Sequence, residues 1–187
     1  MEEILEKYRR GIVMVLTGDG KGKTTAALGQ ALRALGHGMG VFMVQFMKGK
    51  KYGEVLAAEK YLAGFEIVRS GLDSFVMRGN PAPVDVELAR KGLELAREAV
   101  HSGKYRMVIL DEVNVALDFG LIPLSGVIEL IQGKPASVDL VLTGRYAPEE
   151  IVDLADMVSE VREIKHHYAK GIKDREELGR ASCRERV

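Results

Sequence analysis

The sequence predicts an α/β protein built on a doubly wound, mostly parallel sheet of about six strands with helices on both faces. Two observations carry that reading. Short, nearly continuous apolar runs alternate along the chain with longer amphipathic segments, and strands buried on both faces of a parallel sheet read as such runs. The chain has 187 residues, 47% of them hydrophobic, which suits one domain with a sizeable core.

The elements follow in order. Met1–Arg10 (MEEILEKYRR) is charged and reads as an N-terminal arm or short helix; 11–174 reads as a single domain. Residues 175–187 form a polar tail expected to be disordered or partly foreign to the native chain. Predicted strands are Ile12–Thr17, Gly40–Met47, Phe65–Ser70, Arg106–Glu112, Val138–Gly144 and Met157–Ile164. Helical patterns fill the intervals at Lys23–Leu35, Tyr52–Leu62, Val84–Ser102, Pro123–Ile131 and Pro148–Ala155. Alternation of this kind implies β-α-β units. The stretch SGLDSFVMRGNPAPVD (70–85) is punctuated by Gly, Asn and Pro and reads as a loop.

Composition removes several classes. Lys plus Arg number 27 and Asp plus Glu 27, so no net charge draws the chain to nucleic acid or an anionic membrane. Tryptophan is absent and aromatics make up 6%, which argues against a stacking platform for single strands. One cysteine, Cys183, excludes an internal disulfide framework and a cysteine-built zinc cluster. With no apolar run near 18 residues and no signal-like N-terminus, the expected location is cytoplasmic.

The chemistry begins at LTGDGKGKTTAALG, Leu16–Gly29. A standard Walker A loop places four residues between its first glycine and GK[ST], but five positions before Gly22 stands Thr17. The nearest upstream glycines are Gly18 and Gly20, so the loop is one residue short, with Lys21 added. Its setting is nonetheless that of a phosphate loop, after an apolar strand and before a good helix. Glycines at 18, 20 and 22 let backbone N–H groups approach phosphate oxygens, and the helix N-terminus adds partial positive charge. Lys23 brings a full charge, and the Thr24 hydroxyl is placed to ligate magnesium.

A second motif, MVILDE, ends an apolar strand in Asp111 and Glu112, the Walker B arrangement. A carboxylate at the carboxyl end of a strand neighbouring the loop can hold Mg²⁺ beside Thr24. Nucleotide hydrolysis also needs a residue that orients water. Gln45, ending the second strand, is the one candidate, and its weakness hints at an acceptor other than water.

Together these motifs resemble the ATP:corrinoid adenosyltransferases of the P-loop type. The likeness rests on TGDGKGKTTAALG, VQFMKG (44–49), VILDEVNVALDFGLI (108–122) and LVLTGRYAPEEIVDLADMVSEVREIKHHYAKGIK (140–173). It covers roughly Gly11–Lys173 and implies a P-loop, RecA-like fold. The family transfers the 5′-deoxyadenosyl group of ATP to Co(I) of a corrinoid, and the whole triphosphate leaves. The loop then grips a leaving group rather than a phosphoryl group in transit.

By matched position, the resemblance implies triphosphate binding by Gly18, Gly20, Lys21, Gly22, Lys23, Thr24 and Thr25, with Asp19 where Asn is common. Magnesium (or manganese) falls to Thr24 with Glu112, and Asp111 second. Arg145 is expected to reach the nucleotide or its phosphates. His166, Gly171 and Lys173 lie in a tail that approaches the nucleotide in the family, although His166 also reads as a solvated residue. Gln45 and Lys48 sit at a strand's carboxyl end, where open α/β sheets bind ligands; Lys48 meets corrinoid amides or phosphates, or is solvated.

One departure stands out. Many relatives carry GFTW after the third strand, with aromatics that press on the lower corrin face, displacing the axial ligand and easing reduction to Co(I). Here the region reads SGLDSFVMRG, where Phe75, with Leu72 or Val76, fills part of that role or packs a loop. A reductant such as reduced flavodoxin or flavin is implied, and a homodimer is compatible with the family. Two other functions share the Walker pair: a different small P-loop kinase or ATPase, and a non-catalytic nucleotide- or corrinoid-binding module.

Overall fold

The computed structural model describes residues 10–74, 76–172 and 175. Its strands are β1 (Val13–Thr17), β2 (Val41–Phe46), β3 (Phe65–Ser70), β4 (Met107–Asp111), β5 (Asp139–Thr143) and β6 (Met157–Glu160). They form one sheet in the order β3-β2-β4-β5-β1-β6, and every pairing is parallel. The helices are α1 (Lys23–Gly36), α2 (Gly53–Tyr61), α3 (Pro83–His101), α4 (Val113–Asp118), α5 (Leu124–Gly133) and α6 (Glu149–Leu154), followed by a 3₁₀ turn at His167–Lys170.

Alternate strand residues feed two cores, one on each face. Val13, Val15, Val44, Val108, Leu110, Leu140 and Leu142 face Leu93, Ala96 and Val100 of α3 and Val127, Leu130 and Ile131 of α5. Met14, Val41, Met43, Ile109 and Val141 face Ala27, Ala31 and Ala34 of α1 and Ala58 of α2. Alanines on α1 let that helix lie close to the sheet, and α1 is the helix that the phosphate loop opens.

The expected doubly wound architecture is present, and three details differ from the sequence reading. Residues 113–118, left unassigned by the sequence pattern, form the short helix α4. β6 ends at Glu160 rather than Ile164. As an edge strand it pairs only with β1, and its four residues are exposed. Finally, β4 does not neighbour the loop strand: β5 lies between β1 and β4. Because all six strands run the same way, Thr17, Phe46, Ser70, Asp111, Thr143 and Glu160 end on one edge of the sheet, the edge where ligands of such sheets bind.

Candidate active site

The loop between β1 and α1 is shaped by what lies against it. Gly18 and Gly22 adopt φ of 94° and 126°, conformations that side chains rarely tolerate. A Cβ at Gly18 would lie 2.5 Å from the Val161 carbonyl oxygen, and one at Gly20 would lie 2.7 Å from that of Arg162. The Gly20 N–H donates to Val161 O at 2.7 Å, and the Val161 N–H donates to Thr17 O at 2.8 Å. Two of the three glycines are therefore required by the chain leaving β6, a reason that the sequence reading, which assigned them to phosphate, did not contain. Only at Gly22 is the surrounding space open, the nearest atom being Val161 Cγ1 at 4.0 Å.

Lys23 is buried, with its ammonium donating to Gly18 O at 2.7 Å and Gly20 O at 2.9 Å. The cation is thus held inside the loop by the loop's own carbonyls. Lys21, Asp19 and Thr25 are exposed. Arg145, just past β5, donates from Nη2 to Asp19 O at 3.1 Å and approaches the Asp19 carboxylate at 3.8 Å. It is tied to the loop.

Asp111 is the centre of the site. Fully buried at the end of β4, it accepts from the hydroxyls of Thr24 (2.8 Å) and Thr143 (2.7 Å) at Oδ1. At Oδ2 it accepts from the Lys48 ammonium at 2.5 Å and from Gln45 Nε2 at 3.3 Å. The register brings Gln45 there, since it pairs with Asp111 across β2 and β4. Gln45 Nε2 also donates to Glu54 at 3.0 Å, and Lys48 lies 4.0 Å from the same carboxylate. Gln45 Oε1 is buried and has no hydrogen-bond partner among the described residues.

Burial opposes ionisation of Asp111, yet the Lys48 charge, aided by the bonds from Lys48, Thr143 and Thr24, holds its carboxyl below the ordinary carboxylate range. Burial likewise works against the Lys48 charge, and Asp111, Glu112 and Glu54 outweigh it, so the ammonium is held above its ordinary value. The two form a charged pair.

The carboxylate bonded to Thr24 is Asp111, the residue that the sequence reading placed second for magnesium. Glu112 stands at φ 61° at the head of α4, and its N–H donates to Thr143 Oγ1 at 3.0 Å. The Glu112 side chain is half-buried, close enough to Lys48 to add to its field. Among the described residues no group of three or more His, Cys, Asp or Glu side chains is arranged as a metal cage. The oxygen donors of Thr24 and Asp111 instead suit a hard divalent cation that takes its remaining ligands from phosphate and water. The orphaned amide oxygen of Gln45 beside them suits a metal-bound water.

The other predicted residues fall elsewhere. His166 Nδ1 accepts from the Tyr168 N–H at 3.2 Å and its ring stacks on His167 at 4.4 Å. It caps the 3₁₀ turn that Gly171, at φ 73°, closes. Phe75 and Lys173 lie outside the described residues. Val76 is buried in the core, whereas Leu72 is exposed. Sequence reasoning missed Thr143 and Glu54. Thr143 had a signal, because β1 and β5 both end in Val-Leu-Thr-Gly (15–18 and 141–144), so both threonines stand on the ligand edge. Asn114, fully buried and donating to Gly144 O at 3.2 Å, was also missed.

The sequence profile of the ATP:corrinoid adenosyltransferase BtuR/CobO/CobP family matches residues 9–178. The chain belongs to that family. Among curated members of this adenosyltransferase family, it is similar to the corrinoid adenosyltransferase of Sinorhizobium sp., 37% identical over 166 residues that cover 88% of this chain and 78% of the relative. It is 36% identical over 165 residues to the corrinoid adenosyltransferase of Escherichia coli K12, covering 88% of this chain and 83% of the relative. The corrinoid adenosyltransferase CobA of Salmonella typhimurium LT2 matches at the same identity and coverage. Among solved structures, the chain is similar to the genome packaging NTPase B204 of Sulfolobus turreted icosahedral virus 2 in complex with AMP, with TM-score 0.48, 14% identity, and coverage of 83% of this chain and 77% of that one. That overlap is too loose to inform the adenosyltransferase site.

Proposed function

We propose that the chain transfers the 5′-deoxyadenosyl group of ATP to the Co(I) centre of a corrinoid. The C5′–O bond breaks as the Co–C bond forms. Both electrons of the new bond come from cobalt, which is oxidised formally to Co(III), and tripolyphosphate leaves with the electron pair of the broken bond. Family membership supports the reaction. The observation that carries the residue assignment is the convergence of Lys23, Thr24 and Asp111 at one end of α1.

The loop N–H groups other than that of Gly20, with Lys21 and Lys23, bind and neutralise the triphosphate, so that negative charge building on the leaving oxygen is matched by fixed positive charge. Thr24 and Asp111 hold Mg²⁺, with Glu112 within the same field. When bound, the metal supplies a Lewis acid on the leaving group. Arg145 positions the loop through Asp19 and lies beside the phosphates. The corrinoid approaches from the carboxyl edge of the sheet, where the loop after β3 presents Leu72 and Met77, with Tyr146 beyond β5, all exposed. Reduction to Co(I) falls to a separate donor of the flavodoxin or reduced-flavin class.

Purified protein given MgATP and chemically generated cob(I)alamin should consume the Co(I) absorbance and form adenosylcobalamin with tripolyphosphate in equal amounts. ADP and orthophosphate without adenosylcobalamin would instead identify a P-loop ATPase or kinase. Binding of both ligands without turnover would identify a carrier.

A further inference from the structure

Asp111 makes four hydrogen bonds, and they are divided by kind. The two hydroxyls, Thr24 and Thr143, meet at Oδ1, while the ammonium of Lys48 and the amide of Gln45 meet at Oδ2. A buried carboxylate without a cation is expensive, and a nearby ammonium removes most of that cost. Lys48 thereby gives Asp111 the positive charge that a divalent cation held by Thr24 and Asp111 would also supply.

Lys48 is also built to leave. Its side chain keeps 18% exposure, against 0% for Asp111. Its second carboxylate partner is Glu54, at 4.0 Å, and its ammonium lies 5.9 Å from the centre of the Tyr52 ring. Both alternatives lie at the start of α2, on the outer side of the site.

We propose that Lys48 is the resident counter-ion of Asp111, that it excludes free divalent cations from the site, and that it yields Asp111 only when the metal arrives with a triphosphate. In that exchange, the ammonium moves from Asp111 to the phosphates or to Glu54, so the site neither accumulates an unpaired carboxylate nor admits metal without nucleotide. Lys48 is thus a positioning residue that couples metal binding to nucleotide binding. The inference rests on the metal lying at Thr24 and Asp111.

The test is a Mn²⁺ titration followed by loss of the free-ion electron paramagnetic resonance signal. Nucleotide-free native protein should take up no Mn²⁺ at concentrations where Lys48→Met binds one ion per chain, at least tenfold more tightly. That gained site should vanish in the double variant Lys48→Met/Asp111→Asn. Lys48→Arg, which keeps the charge, should behave as the native protein. Lys48→Gln, which keeps a neutral donor of similar length, carries the same expectation as Lys48→Met and replaces it if that variant does not fold.

With ATP present, and measured against the Mn²⁺ that ATP alone chelates, native protein should bind further Mn²⁺ and Asp111→Asn should not. If ATP recruits Mn²⁺ equally well in Asp111→Asn, the metal position itself is wrong. If that control holds but neither neutral variant gains a nucleotide-free site, or if the native protein already has one, the role given to Lys48 is overturned while the metal position stands.

Discussion

Lys23 and Lys48 are two buried or half-buried lysines of one site with opposite partners. Lys23 donates to two backbone carbonyls, which are neutral, at the mouth of the phosphate loop. Lys48 is held by a carboxylate, so its charge is already matched. Lys23→Ala should accordingly lower kcat by about two to three orders of magnitude, the range seen when one preorganised charge-stabilising donor is removed. The folded protein should survive, as circular dichroism and a steady-state assay on the same preparation would show. Asp111→Asn should act differently. It keeps hydrogen-bonding atoms toward Thr24 and Thr143 but leaves Lys48 against an uncharged amide. Because Lys48 retains some exposure, the loss of stability should sit near the lower end of the usual cost of breaking a buried pair, about 3 kcal/mol by urea denaturation. The sequence made both lysines visible through their motifs. It could not distinguish them, because the partner of Lys48 arrives through a strand register that no local pattern encodes.

At the level of elements, the strands were legible because each is a short apolar run between turn signals, and four of the six lie inside the sheet. β6 was overextended because an edge strand stops where its single neighbour stops. The opposite edge, β3, is tethered by side chains. Glu66 accepts from the Tyr105 hydroxyl and, at 3.1 Å, from Lys104, linking β3 to the turn before β4. The bond from Tyr105, and after it the bond and charge of Lys104, hold the Glu66 carboxyl below its ordinary value. A group whose folded value is depressed stabilises the fold above its unfolded value and loses that contribution as pH falls through the folded one. Glu66→Gln should therefore cost more stability at pH 6 than at pH 3. The difference should stay under about 1 kcal/mol, since Glu66 is half-exposed and solvent screens the pair. Urea midpoints at the two pH values measure it. The short helix α4 marks the limit of periodicity as a signal, and with it Asn114, whose role is visible only once Gly144 stands beside it.

For the whole molecule, the sheet order decides what folds with what. β1 has no neighbour close in sequence: it pairs with β5 and β6, so Val13 meets Leu140 and Met14 meets Met157. Topology of this kind raises the cost of closing the chain before native contacts repay it, and folding should be slow relative to a helical bundle of equal length. The general architecture was nevertheless readable from alternation alone, whereas the insertion of β5 between the two Walker strands was not, because the strand order leaves no trace in local composition. Ligand binding should act on the whole fold. MgATP at a hundred times its dissociation constant should stabilise the protein by about 2.7 kcal/mol, and calorimetry with and without nucleotide checks this. A gain that is unchanged in Lys23→Ala would detach the loop from the binding site.

The bracing of Gly18 and Gly20 by Val161 and Arg162 also bears on the birth of the protein. The phosphate loop leaves the ribosome well before Val161 and Arg162, the wall that shapes it. A nascent chain should therefore stay blind to nucleotide until the strand beyond α6 has emerged and docked.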